Sequence, residues 1–260
     1  MQNGRAVETM KILVTGAAGF IGKNLTEALE KNKKAVVLPF NSESDPVLLE
    51  DYCAECSFLY HLAAVHRPAD EEEFRRVNYL FFARVLELLR LKKNSCPVLL
   101  PSSIHAAGDS GYGKSKAAAE AALKEHARLS GARAIIYRLT NTFGPHARPN
   151  GHSVVATFCY NIARGLPVTI SDPAKVMKFY YIDDVISAFT AHLDREIEAG
   201  EGGFYRLPGR LEHEITLQDL AERLQGFKQA LERGEDVQPD SILTARLYET
   251  YLSYLPQFID

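Results

Sequence analysis

Lys11-Ile-Leu-Val-Thr15 runs straight into Gly16-Ala-Ala-Gly19-Phe-Ile-Gly22, and Lys23-Asn-Leu25-Thr-Glu-Ala28-Leu29 follows. A short apolar run, a glycine-punctuated turn and apolar residues at helical spacing read as strand, tight turn and helix. Gly16 permits the turn, Gly19 lets backbone approach a pyrophosphate, and Gly22 allows close contact between helix and strand. The helix N-terminus adds amide donors and the positive end of its dipole. On this reading Gly16, Ala18, Gly19, Phe20, Ile21 and Gly22 cradle a dinucleotide; the bland alternative is a strand-to-helix turn with no ligand.

The alternation continues outward from that stretch. Residues 35–38, 58–62, 97–102 and 133–139 read as strands, while 71–92 and 112–130 read as long helices. Strands alternating with helices predict an α/β fold, a doubly wound parallel sheet of the Rossmann kind. After Thr142 the texture changes to FGPHARPNGHS. Helices are then expected over 154–163, 183–195 (Asp183 or Asp184 at its N-cap), 217–231 (capped by Thr216) and 242–252, with short strands at 168–170 and 204–207. Residues 1–9 are expected to be a disordered polar leader, 10–165 a dinucleotide-binding domain, and 166–260 mostly a small α/β substrate-binding lobe, from which the 183–195 helix returns to the first domain.

Composition limits the partners. With 260 residues, 46% hydrophobic, 24% charged and a formal net charge of -3, the chain is of globular type and lacks the positive field that nucleic acid or anionic membrane would need. No apolar run approaches the roughly 20 residues of a membrane span. Four cysteines without a secretory leader point to free thiols in a reducing cytoplasm. Cys53 and Cys56 form a CxxC, a redox pair or half a zinc site, but no second pair at ligand spacing supports a metal.

A second motif, Tyr112-Gly-Lys-Ser-Lys116, follows Ser102-Ser103 at a strand end. Tyrosine and lysine four apart share a helix face, so the ammonium is expected to favour phenolate and lower the phenol's pKa from its usual value near 10. A strand-end serine can hydrogen-bond the same substrate oxygen. Three groups then converge on one carbonyl or carbinol.

With TGAAGFIG, His61-Leu-Ala-Ala64, SS...YGKSK, Arg138-Leu-Thr-Asn-Thr-Phe-Gly-Pro145 and Tyr181-Ile-Asp-Asp-Val185, the chain from Met10 resembles the extended short-chain dehydrogenases/reductases, also called the NAD-dependent epimerase/dehydratase family. The resemblance implies Ser103, Tyr112 and Lys116 as catalytic residues, with Lys116 also holding the nicotinamide ribose. It adds Leu62, Ala63, Ala64 and Leu139 to the cofactor site, and sets His61 as strand-end scaffold. The strings His66-Arg-Pro68, Arg148-Pro-Asn150, His152-Ser-Val-Val-Ala-Thr-Phe158, Asn161-Ile-Ala-Arg164 and Tyr248-Glu-Thr-Tyr-Leu-Ser-Tyr-Leu-Pro256 are similar to the reductase half of capsular polysaccharide enzymes of the CapF/WbjC type.

That likeness implies NADPH-dependent reduction of a nucleotide-linked 4-keto-6-deoxy sugar, UDP-2-acetamido-2,6-dideoxy-hexos-4-ulose. Substrate contacts are expected from Arg67, Asn78, His105, Asn141, Arg148 and His152, and no metal from His146 or His152. His66 and His105 depart from the Asn and Gln of the family. The second strand ends in Pro39-Phe40-Asn41 with no carboxylate to repel a 2′-phosphate, so Asn41 lies at the ribose and NADP(H) is favoured, with NAD(H) the alternative. An epimerase or dehydratase with tightly held NAD and a non-catalytic NAD(P)-binding sensor are the other readings; Ile104-His105 stands where a dehydratase's Asp-Glu pair would be. The two long helices are expected to form a homodimer face through Phe74, Val77, Phe81, Leu88 and residues 117–122, or else simply to cover their own sheet. No cupin domain is expected: the sequence reads either as a truncated piece of such an enzyme or as a stand-alone reductase whose C3 epimerase is a separate cupin-type partner.

Overall fold

The computed structural model describes residues 9–256 except 33, 34, 67, 69 and 152. All of the expected leader but Thr9 therefore lies outside the described residues, as do Arg67 and His152. β1 (Met10–Thr15), α1 (Phe20–Glu30) and β2 (Ala35–Phe40) form the predicted opening, and β3 (Phe58–His61), β4 (Val98–Ser103) and β5 (Ala134–Leu139) extend it. They make one parallel sheet in the order β2-β1-β3-β4-β5. The order reverses at β1, so the carboxyl ends of β1 and β3 flank the switch point where open α/β sheets bind ligands. All of β3 and β4 is buried, which is why these runs are continuously apolar rather than alternating.

α2 (Pro46–Glu55) went unassigned in the sequence, although its start carries a signal: Asp45 accepts a hydrogen bond from Val47 N and Pro46 opens the first turn. The single helix expected over 71–92 is instead a π-helical segment, Phe74–Phe81, followed by α3 (Phe82–Leu91). α4 (Gly111–Ser130) is capped by Ser110 and ends at Gly131 in the left-handed region. Leu13, Leu59, Phe82, Leu86, Val98, Leu123 and Ile136 build the core between sheet and helices, each worth about 1.5–3 kcal/mol when fully buried. Of the residues read as a dimer face, Leu88 belongs to this core, Phe81 stacks on Phe40, and Phe74 lies beside Tyr112.

The chain forms two compact units, one of residues up to Leu139 with Phe189–Arg206, the other of Thr140–Ala188 with Leu207 onward. The division falls after residue 139 rather than at 165 because β5 closes the first sheet. β6 (Asn141–Phe143) pairs parallel to β7 (Val176–Tyr181), which pairs antiparallel to β8 (Glu212–Thr216). The strand expected at 168–170 is absent, and that at 204–207 shrinks to a single bridge between Tyr205 and Tyr137, because cross-strand partners and not local β-propensity decide such short runs. α5 (Val154–Ala163), α6 (Ile182–Asp194), α7 (Leu217–Glu232) and α8 (Ile242–Leu252) follow the predicted spans. No helix among the described residues is long and apolar enough to cross a membrane.

Candidate active site

Gly16 adopts φ 72°, and its N–H donates to Phe40 O (2.7 Å), the last carbonyl of β2. A Cβ there would stand 2.6 Å from Ala63 N, so the turn presses on the segment after β3. At Gly22 a Cβ would meet Gly16 O at 2.2 Å: this glycine lets the helix close on the loop's own turn, rather than on a strand as expected. α1 begins at Gly19 without a side-chain cap, which leaves its first amides to an outside acceptor. Asn41 follows β2, residues 62–64 follow β3 with Leu62 N donating to Thr15 O, and Leu139 ends β5. These segments, distant in sequence, gather at the carboxyl edge of one sheet. A cradle of backbone amides with no room for Cβ atoms fits a dinucleotide pyrophosphate. Asn41 Oδ1 is spent on Glu43 N in a local turn.

Ser103 ends β4, with Oγ accepting from His105 N (3.2 Å), and Tyr112 stands in the first turn of α4. The Ser103 side chain acts on the phenol in the direction that lowers its pKa. The phenol's pKa is raised, not lowered as its spacing from Lys116 predicts. Burial pushes Tyr112 up to about 12, and Ser103 pulls the other way. Lys116 is buried and donates from Nζ to Pro101 O (2.8 Å); desolvation brings it down to about 8, opposed by the charge of Glu120. Tyr112 therefore keeps its proton at neutral pH. It is poised as an acid rather than a base. The rings of His66, Phe74 and His105 surround it at 5.1, 5.9 and 6.5 Å between centroids, and His105 is exposed.

His61 closes β3 beside this edge, fully enclosed: Nδ1 shares a hydrogen with Thr15 Oγ1 (2.8 Å) and the ring stacks on Phe82 at 4.1 Å. Desolvation drives it down to about 3, so it is a neutral scaffold.

Asn78, read as a substrate contact, spends its amide within the chain. It is buried, its Oδ1 accepts from Val65 N (2.7 Å), and its Nδ2 donates to Val65 O and Ser115 Oγ (both 3.0 Å). Ser115 Oγ donates in turn to Tyr112 O at 2.7 Å. Asn78 thus ties the loop after β3 to the turn that carries Tyr112. Asn141 lies on β6 and donates to Lys178 O (3.2 Å), and Arg148 is exposed in the following loop; both belong to the second unit.

Two residues that the sequence reading passed over sit behind Lys116. Glu120 is buried and takes two hydrogen bonds from Arg138, Nε to Oε1 (2.9 Å) and Nη2 to Oε2 (2.7 Å), plus one from Ser102. Their signal was a carboxylate four residues beyond the lysine, on its own helix face. The cysteine pairing also differs from the CxxC: Cys56 Sγ lies 3.7 Å from Cys96 Sγ, all four thiols are free and buried, and burial pushes Cys53 up to about 12.

Residues 12–207 match the NAD dependent epimerase/dehydratase family. The chain is 38% identical over 248 residues to UDP-2-acetamido-2,6-beta-L-arabino-hexul-4-ose reductase of Pseudomonas aeruginosa, covering 95% of this chain and 66% of that protein. The crystal structure of the capsular polysaccharide assembling protein CapF from Staphylococcus aureus superposes with a TM-score of 0.85 at 34% identity, again over 95% of this chain and 66% of the other. The chain thus spans just under two-thirds of the length of these relatives. UDP-glucuronic acid 4-epimerase from Bacillus cereus shares the fold, with a TM-score of 0.79 at 21% identity over 96% of this chain and all of that one.

Proposed function

From the premise that the chain belongs to the NAD dependent epimerase/dehydratase family, we propose that it reduces a nucleotide-linked 4-keto-6-deoxy sugar, UDP-2-acetamido-2,6-dideoxy-hexos-4-ulose, with NADPH. The observation that carries this reading is a phenol kept protonated beside a serine hydroxyl at the sheet's ligand-binding edge. Reduction of a ketone needs a proton donor at the carbonyl oxygen, which a buried, protonated tyrosine supplies. Ser103 donates a hydrogen bond to the same oxygen, so the charge that develops there is met by two donors already in place. Lys116, one turn along α4, places a positive charge beneath the site. A bound reduced nicotinamide would supply the hydride; residues 16–22, 41, 62–64 and 139, with Tyr112 and Lys116, form its proposed cradle. The absence of a carboxylate at the end of β2 supports NADPH over NADH. The sugar and the nucleotide follow the name of the P. aeruginosa relative. His105, exposed beside Tyr112, is the proposed substrate contact.

The test follows NADPH oxidation spectrophotometrically against a panel of UDP- and dTDP-4-keto-6-deoxy sugars. The UDP 2-acetamido compound is expected to be consumed. Tyr112→Phe is expected to lower kcat by about 10²–10⁴-fold with NADPH affinity nearly unchanged. An inert panel, or a Tyr112→Phe enzyme of normal rate, overturns the reading.

A further inference from the structure

Lys116 is one of the most enclosed cations of the protein, at 6% exposure, and the hydrogen bond it makes, to Pro101 O, is to a neutral carbonyl. An ammonium in such a place loses its hydration and tends toward the neutral amine, and desolvation indeed brings this one down to about 8. A lysine that shed its proton would leave the site without its positive charge. Something close by must hold that charge.

The groups facing Lys116 narrow the choice. On β3, His61 is buried and neutral, driven down to about 3 by desolvation first and by Lys116 second. On α4 itself, Tyr112 is protonated at neutral pH and so uncharged. On β5, Arg138 is positive and paired with Glu120. Glu120 is the carboxylate among them. It lies four residues after Lys116, hence one turn along the same helix face, and it acts on the lysine in the direction that favours the ammonium. Its own position is over-determined. Arg138 grips both oxygens in a bidentate pair at 2.9 and 2.7 Å, and Ser102 donates to Oε1. Arg138 is held in its turn, with its guanidinium carbon 4.0 Å from the centre of the Phe204 ring.

We propose that Glu120 is a positioning residue for the active site: clamped by Arg138 and Ser102, its carboxylate keeps the buried Lys116 ammonium charged and fixed beneath Tyr112. The adjacent serines of β4 thereby divide the work, Ser103 serving Tyr112 and Ser102 serving the carboxylate behind the lysine. Arg138 has two effects. It neutralises part of the Glu120 charge and it aims that charge along the helix. The net field at Lys116 is then set by the pair rather than by the carboxylate alone.

This inference rests on the reading of Lys116 as part of the active site, and its test needs neither substrate nor turnover. The full chain is labelled with ¹³C,¹⁵N-lysine, and the Lys116 side-chain resonance, assigned by its loss in Lys116→Met, is titrated against pH. Glu120→Gln keeps the volume of the side chain and an acceptor for Ser102 but removes the charge. Its Lys116 midpoint is expected to fall by about one pH unit or more. An unchanged or higher midpoint overturns the proposal. Because Glu120→Gln leaves the half-buried Arg138 guanidinium beside an amide and can fail to fold, a second comparison sets Arg138→Gln against the double variant Glu120→Gln/Arg138→Gln. There the midpoint is expected to be lower in the double variant, and equal midpoints overturn the proposal. A fall in the midpoint in a protein that reduces no sugar would sink the ketoreductase reading while leaving the Glu120–Lys116 coupling in place.

Discussion

Asn78 spends its whole amide on its own chain, which makes its removal a test of the architecture around Tyr112. Asn78→Ala strands the Val65 N–H and C=O and the Ser115 hydroxyl's acceptor role, at about 1–3 kcal/mol for each buried group left unpaired. Urea unfolding should show a loss of about 2 kcal/mol or more; a loss under about 0.5 kcal/mol would remove it from the scaffold. Gly16→Ala meets two penalties together, a positive φ worth about 1–2 kcal/mol and a backbone contact at 2.6 Å from Ala63 N. Thermal unfolding is expected at a lower temperature, with a smaller upward shift on adding NADPH than in the wild type. The glycines, Tyr112 and Lys116 could be singled out in the sequence because local spacing marks them, and Ser103 through the family resemblance. The role of Asn78 could not, because its partners lie 13 and 37 positions away.

Helix boundaries show how far local signals reach. Thr216 was legible as a cap: its Oγ1 accepts from Asp219 N at 3.0 Å and donates to Asp219 Oδ2 at 2.7 Å, a box closed at the start of α7. Thr216→Ala is expected to cost about 1 kcal/mol in chemical denaturation with no change in the cofactor cradle. The π-helical segment Phe74–Phe81 was not legible, since its sequence has ordinary helical periodicity. Its wider turn is held by contacts outside it, Asn78 to the Val65 loop and Phe81 against Phe40 and His61. The strands β6, β7 and β8 were likewise missed. Each is short, and the pairing that makes it a strand comes from residues up to 40 positions off, Val176 with Thr216, which no window of local propensity can see.

At the scale of the whole molecule, buried imidazoles make stability depend on pH. His61 is driven to about 3 and His192 to about 4, both chiefly by desolvation, from 6.5 in the unfolded chain. The unfolded state therefore binds more protons, and stability is full above pH 6.5 and falls as pH drops from there toward 4 and 3. Each group contributes a loss of about 2 kcal/mol between pH 7 and 5. Urea midpoints at the two pH values measure it, and equal midpoints would mean that neither ring stays neutral in the fold. From sequence alone, the doubly wound sheet follows from hydrophobic period and the glycine turn from spacing within one strand and one turn, while Ser103, Tyr112 and Lys116 come as a proposed catalytic set from spacing and family resemblance. The charge states of those residues are set by packing. Burial overrides the local pairing of Tyr112 with Lys116 and keeps the phenol protonated, and it sets Glu120 and Arg138 behind the lysine, because desolvation depends on what the whole chain packs around a group and not on its neighbours in sequence.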